Sequence, residues 1–533
     1  MAAKLCDMNS FAPIGTARKW ATLAICCVAV LVLSIDLTAL HLAIPNLITD
    51  LSPSGTQILW IADVYGFALA GLLVTMGGVG DRIGRKKLLL IGTTAFAATS
   101  ALTAYATSPE MLVAARALLG IAGATIMPST LSITRNVFTD ARERTMAVGI
   151  ASGVGALGVG LGPILGGALL DHFWWGSVFL INVPIMAVVL VAGLFVLPES
   201  RNPRPGRLDA PSVPLSMAGV MGIVYAVTEA GHSGVANAKV GIGVAVGVIG
   251  LVAFVWRQRR LAEPLIDVRL FRNAAFSGSV GANLFAMFAL VAQSLVFSQY
   301  FQLVLHWSPL KAGLAGLPGG VAAAVGGAVL AAPLITAIGR ARVVALGMAL
   351  SAAGFALYAL TGTESDYWTL LLAMIPCALG VGMAMTVTGD TILASVPKDR
   401  AGAASAISET ATELGGALGM AVLGSVLTAA YRTSLNVPAG LSTSAGHGVR
   451  DSIGSALETA GSLPARLAAQ VIDAADHAFV TGMHAAVFCS AGLAALTGLA
   501  ALFTLRRVPK IIPEHLEEGD PAPEQNGRPL TTA

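Results

Sequence analysis

Two carboxylates, Glu409 and Glu413, stand four residues apart inside the apolar run 402–430, so they project from one face of a helix about one turn apart. In a low-dielectric site, desolvation and like-charge repulsion raise the proton affinity of both. A proton can then be held near neutral pH and released when a cation enters. The competing reading is an acid pair bonded to neighbouring backbone or to the hydroxyls of Ser408 and Thr412. Asp36, Asp63, Arg116 and Asp390 also fall in apolar runs. A charge at the centre of a membrane helix costs about 2.5–3.5 kcal/mol on insertion scales, so each needs a partner, water or a task. Asp36 and Arg116 are opposite in sign and would spare each other that cost as a pair, which can be purely structural. Asp63 stands beside Trp60 and Tyr65. Acid plus aromatics suits an organic cation through charge and cation–π attraction, and equally suits an interfacial aromatic belt with a solvated acid. Asp390 lies toward one end of its run, as a cargo-contacting acid or an ordinary boundary residue.

These residues must be carried by membrane spans. Of 533 residues only 11% are charged, against roughly 25% in soluble proteins, and 55% are hydrophobic. A soluble surface cannot be built from this. Fourteen apolar runs follow one another, at 20–48, 57–79, 88–107, 111–134, 145–169, 174–197, 211–230, 239–256, 275–304, 312–337, 343–362, 368–392, 402–430 and 479–505, which predicts an all-α polytopic membrane protein. With the N-terminus placed in the cytoplasm, 26 basic residues fall inside and five outside. This asymmetry predicts that both termini are cytoplasmic. The net charge of +3 is too small and scattered for a nucleic-acid surface. The five cysteines have neither disulfide nor metal spacing, so no metal is expected. Nothing matches the phosphate loop of an ATPase, and the eight histidines are dispersed.

Faint repetition divides the chain. Asp140-Ala-Arg142 before span five resembles Lys398-Asp-Arg400 before span thirteen, and Gly84-Arg85 after span two is echoed by Gly339-Arg340 after span ten. The expected organisation is a cytoplasmic segment 1–19, a six-helix half 20–200, a linker with two inserted helices 201–272, a second six-helix half 273–508 and a disordered tail 509–533. The external segment 432–477 is expected to form short amphipathic helices, as a connector or a cap over the outer opening.

Two motifs stand out. After span two, Gly77-x3-Asp81-Arg82-x-Gly84-Arg85-Lys86 combines turn-permitting glycines with acid and base at the membrane surface, where salt bridges can make and break. Span five contains Gly149, Gly158, Gly162-Pro163 and Gly166-Gly167. Its glycines at intervals of four form a smooth stripe for a neighbouring helix.

Both motifs, with Leu112-x3-Arg116-x3-Gly120 and Asp36-Leu-Thr38-x4-Ala43-x-Pro45, resemble the major facilitator superfamily. The span count and the phrases Leu59-Trp60-Ile61-x-Asp63-x-Tyr65 and Phe179-Leu-Ile-Asn182-Val-Pro184 are similar to its fourteen-span drug:proton antiporters of the quaternary-ammonium-compound exporter type. The resemblance departs at 338–343, where the second gate copy keeps Gly339-Arg340 but has no acid. It implies a major facilitator fold, proton coupling through Asp36 and Arg116, an antiporter signature in span five, and proton-driven export of amphipathic drugs or antibiotics by alternating access. It further implies no cofactor beyond the coupling proton, a bacterial cytoplasmic membrane, and a working monomer in a lipid bilayer. Import of a metabolite by symport and a non-transporting receptor are the competing functions.

Overall fold

The structure, a computed structural model, describes residues 15–51, 53, 55–170, 172–200, 209, 211–233, 236–261, 264, 268–364, 366–396, 401–439 and 441–510. The linker 201–208, the triplet Lys398-Asp399-Arg400 and the tail from 511 lie outside the described residues. So do the side chains of Pro45, Leu59, Asp63 and Pro163.

Among the described residues every regular element is helical. The first group is α1 (Thr16–Leu51), α2 (Gly55–Ile83), α3 (Arg85–Ala104), α4 (Pro109–Val137), α5 (Ala141–Leu170), α6 (Ser177–Leu180) and α7 (Asn182–Val196). In this group α1 packs on α5 and α7, and α4 packs on α2 and α3. Next come α8 (Ser212–Ser233) and α9 (Ala238–Gln258), a hairpin pressed together at bare glycine backbone. Arg257 on α9 holds Asp209 before α8, and that partnership keeps the Asp209 carboxyl well below the usual carboxylate range. The hairpin lies against α2 and against α15. The last group is α10 (Ala274–Gln299), α11 (Pro309–Ala324), α12 (Ala331–Ile338), α13 (Arg340–Leu357), α14 (Tyr367–Ala394), α15 (Ala401–Ser434), α16 (Thr443–Asp451), α17 (Ile453–Gly461) and α18 (Ala465–Thr504). Its packing is α13 on α14 and α18, and α10 on α14, α15 and α18. The groups meet along α5 with α11 and α14, and along α2 and α4 with α15.

Among the described residues twelve helices are long and apolar enough to cross a membrane. The 30-residue α5 and 22-residue α8 are not among the twelve. The run 312–337 is not one continuous α-helix: α11 passes through a π turn at Val325–Leu330 into α12. A second π turn, Tyr300–Val304, ends α10.

The faint repeat has a backbone counterpart. Gly84 and Gly339 adopt φ of 107° and 87°, a region that suits residues without a Cβ, and each is followed by a buried arginine that starts a helix. Sequences that look only distantly alike thus build the same corner twice. Outside the last span, α16, α17 and the start of α18 rest on the protein. Ile453, Ala456 and Val471 are buried in the core of the final group, and the Tyr431 hydroxyl donates to the Val449 carbonyl. At ~1.5 Å per residue the 40 residues of α18 reach about 60 Å, twice the hydrocarbon core, so its beginning necessarily stands clear of the membrane.

Candidate functional site

Four polar clusters interrupt the apolar interior. In the first, Arg116 Nη1 donates to Asp36 Oδ2 at 2.8 Å, and both side chains are fully buried. Asn182 Nδ2 donates to the other Asp36 oxygen at 2.8 Å and lies 3.3 Å from Ser100 Oγ. The guanidinium sits 4.7 Å from the centroid of the Tyr65 ring and 5.7 Å from that of Phe179. Burying two charges is compensated to the extent that the remaining lone pairs and protons find partners: Asn182 takes the second Asp36 oxygen and the two rings face the guanidinium, whose Nη2 is left without a hydrogen bond. Opposite charge pointed from Asp36 to Arg116 in the sequence, whereas Asn182 appeared there only within a motif phrase.

The second cluster closes the end of the bundle that carries the basic loops. Asp81 Oδ1 accepts from Arg85 Nη2 at 2.7 Å and from the Gly402 backbone N–H at 3.1 Å, while Oδ2 accepts from the Ala403 N–H at 3.2 Å. A carboxylate of the first group therefore caps the N-terminus of α15 in the other, where the helix dipole favours negative charge. The approach depends on missing side chains, because a Cβ on Gly77 would stand 2.5 Å from the Gly402 carbonyl oxygen. Arg82 turns back to the Gly78 carbonyl, and Lys86 Nζ donates to Leu194 O. Glu199, just beyond α7, accepts the N–H groups of Lys86 and Lys87 at the start of α3.

The third cluster changes the expectation for Asp390. Its carboxylate is fully buried between Arg144 Nε and Arg340 Nη2, each at 2.7 Å, and Thr145 Oγ1 donates to it at 3.0 Å. Arg144 comes from α5 and the other two residues from α14 and α13, so this bridge also joins the groups. Asp390 is enclosed rather than facing open space. The acid missing from loop 338–343 is thus supplied to Arg340 by α14. Arg135 Nε donates to Leu393 O beside it. In the sequence Arg144 and Arg340 counted as topology-setting bases, and no local signal tied Arg144 to an acid 246 residues away.

The fourth cluster is the carboxylate pair. Glu409 and Glu413 are half-buried on α15. Of the two hydroxyls that could satisfy them, those of Ser408 and Thr412, the second is engaged elsewhere: Thr412 Oγ1 donates to Ser408 O and accepts from Asn283 on α10. Among the described residues neither glutamate has an arginine or lysine partner. Asp36 and Asp81 each have one, and Asp390 has two.

The glycines of span five divide between two partners. Gly149 approaches the backbone of Gly327 in the π turn, across the interface between the groups. Gly158 and Gly162 face Ser34 and Thr38 on α1, and Gly166 is buried, whereas Gly167 meets no neighbour within 4 Å. Trp60 is 43% exposed and its ring meets Phe67 edge-on, while Tyr65 is buried beneath Arg116. No cluster of metal-ligating residues occurs among the described residues.

A helical membrane bundle of two packed groups, joined at one end by breakable ionic contacts and carrying unpartnered acids further in, has the construction of a secondary transporter. The chain matches the model of the Major Facilitator Superfamily over residues 26–420 and belongs to that superfamily. It is 45% identical to the multidrug efflux pump LfrA of Mycolicibacterium smegmatis, over 91% of this chain and 96% of that protein. It is 34% identical to the methyl viologen resistance protein SmvA of Salmonella typhimurium, over 92% and 99%. The tetracenomycin C resistance and export protein of Streptomyces glaucescens is 30% identical over 97% and 95%. Among solved structures, the human organic anion transporter MFSD10 superposes with a TM-score of 0.58 at 15% identity, covering 91% of this chain and 99% of that one, a likeness of fold. The chain is a membrane efflux transporter and not an enzyme.

Proposed function

We propose that the protein exports amphipathic organic cations in exchange for protons, with Glu409 and Glu413 as the carboxylates that alternate between proton and cargo. The observation that carries this reading is the contrast in pairing: Asp36, Asp81 and Asp390 each hold arginine, and among the described residues these two glutamates hold none. Two ionised carboxylates offer two negative charges, which matches a dication such as methyl viologen, the compound after which the resistance protein SmvA is named. Exchange of two protons for such a dication is electroneutral and is driven by about 1.36 kcal/mol per proton per pH unit.

In this account Asp36 and Arg116 form the outer proton site. Trp60, Asp63 and Tyr65 of span two are the residues that meet cargo from the outer side, Tyr65 lying against Arg116. Asp81 with the α15 N-terminus and Arg144 with Asp390 are latches that close the cytoplasmic end and must part for cargo to enter. The contacts of α5 and α8 within the bundle support fourteen spans in all, arranged as halves 20–200 and 273–508 around the insertion 201–272. Both termini lie in the cytoplasm of a bacterium, and one chain in its inner membrane is the working unit.

The test uses purified protein in liposomes with the membrane potential clamped at zero. Methyl viologen is expected to accumulate in vesicles whose lumen is acidic and not in those without a pH difference. Equal accumulation in both would refute proton coupling.

A further inference from the structure

Asn283 of α10 is buried where α10 packs on α14 and α15, and its carboxamide bonds to both. Its Nδ2 donates to Thr412 Oγ1 at 2.9 Å and to the Ser408 carbonyl at 3.3 Å, and its Oδ1 accepts from Thr388 Oγ1 at 3.3 Å. A carbonyl can only accept, so Ser408 O fixes which end of the amide faces α15. Ser408 and Thr412 each directly precede one of the glutamates, so the grip falls on the flank of the helix beside the face that carries the pair. The two helices leave no slack there. A Cβ on Gly415 would collide with the carbonyl oxygen of Leu284, the residue after Asn283.

Thr412 stands three residues beyond Glu409, a spacing that makes their side chains neighbours. A helical threonine has two accessible rotamers, one with its hydroxyl on the carbonyl four residues back and one turned toward the residue three back. Asn283 selects the first. With an amide N–H on its oxygen, the Thr412 hydroxyl sends its hydrogen to Ser408 O at 3.0 Å and has none to offer Glu409. An ionised carboxylate is the stronger acceptor, so without that restraint the hydroxyl would turn to it. Of the helices packed on α15, α10 carries no ionisable residue, and Asp390 of α14 is enclosed by its arginines. The others bring Tyr65, Arg116, Tyr225 and His484 to mid-membrane; Tyr65 lies against Arg116, Arg116 holds Asp36, and His484 bonds to Thr361 O. Among the described residues no hydrogen bond or ion pair joins any of them to either glutamate.

We infer that Asn283 is a positioning residue of the coupling site: it keeps the Thr412 hydroxyl off Glu409, so that proton and cargo are the groups left to satisfy that carboxylate.

The inference rests on the coupling role proposed for Glu409 and Glu413, and its test separates the two. Asn283→Leu removes the amide and orphans neither hydroxyl, since Thr412 keeps Ser408 O and Thr388 keeps Ala384 O at 2.9 Å. Asn283→Ala does the same should leucine overfill the site. Once freed, the Thr412 hydroxyl donates to ionised Glu409 and favours its charged form, so the proton is held only at lower pH. The readout is the pH at which methyl viologen, added to the purified protein in weakly buffered detergent, releases half the maximal number of protons. That pH is expected to fall by about 0.5–1 unit in either variant, a loss of about three- to tenfold in proton affinity. It should return to the parent's value when Thr412→Val is added to the Asn283 variant. A merely structural role would lower binding or stability without moving it. Asn283 variants with the parent's half-release pH, or an acid shift that survives Thr412→Val, would overturn the inference; with release still abolished in Glu409→Gln/Glu413→Gln, the coupling role would stand. If the glutamine variant releases protons as the parent does, the coupling role fails and the inference falls with it.

Discussion

Liposomes carrying Glu409→Gln/Glu413→Gln will form no methyl viologen gradient at zero membrane potential, however large the pH difference. For the parent, exchange of two protons per dication sets a limit of about 100-fold accumulation per pH unit, since each proton contributes about tenfold. Glutamine keeps the size of the side chain and removes the exchangeable proton. The double variant should still bind neutral cargo and still fold, because neither glutamate anchors a basic partner among the described residues. A single Glu413→Gln substitution leaves one exchangeable proton, with a limit closer to tenfold per pH unit when potential is clamped. Gradients of equal size in parent and double variant would remove these residues from the coupling step.

Asp36→Asn is expected to produce the largest loss of stability of any single change at the acids. Arg116 would remain fully buried with only the Ile61 carbonyl at 3.4 Å and two aromatic rings. Breaking a buried pair from one side costs roughly 3–5 kcal/mol, because the surviving charge is left uncompensated. Removing both charges in Asp36→Asn/Arg116→Met should restore at least half of that loss without restoring transport. Thermal unfolding of the detergent-solubilised protein measures both. A double variant no more stable than Asp36→Asn would show that the pairing energy is not what holds this cluster.

What the sequence made legible follows from the cost of charge in a membrane. In an apolar chain few ionisable residues can be inside, so Asp36, Arg116, Glu409 and Glu413 could be picked out one by one, and the periodicity of a helix put the two glutamates on one face. Spacing also exposed the glycines at 77, 149, 158 and 162, because close helix approach demands small residues at fixed intervals. The bridge from Arg144 to Asp390 was not legible. Bases near helix ends already have a reason to exist in setting topology, so their second task leaves no separate trace. The same holds for Arg340, whose loop lacks an acid that α14 provides. The π turn at Val325–Leu330, which packs against α5 and α14, had no signal either. The relation of Gly84 to Gly339 was visible as two letters and became an argument only through a shared backbone conformation.

At the closed end, Arg144 Nη2 and Arg340 Nε are buried without a hydrogen-bond partner, while Arg144 Nε and Arg340 Nη2 hold Asp390 and Arg340 Nη1 donates to Thr391 Oγ1. Two guanidiniums around one carboxylate leave a net positive charge in a dry site, so the latch is firm without being fully satisfied. Such a contact can part during each cycle at moderate cost, which a fully bonded network would resist. The Asp81 cap on α15 has the same character, with backbone N–H groups that water can take over once the helices separate.

The most direct test of the central claim is a count of protons released when methyl viologen is added to the purified protein in weakly buffered detergent solution near neutral pH. The account predicts release that saturates with cargo, approaches two protons per dication bound as pH falls toward the range where both glutamates are protonated, and disappears in Glu409→Gln/Glu413→Gln. Binding of methyl viologen with no proton released at any pH between about 5 and 8 would contradict it.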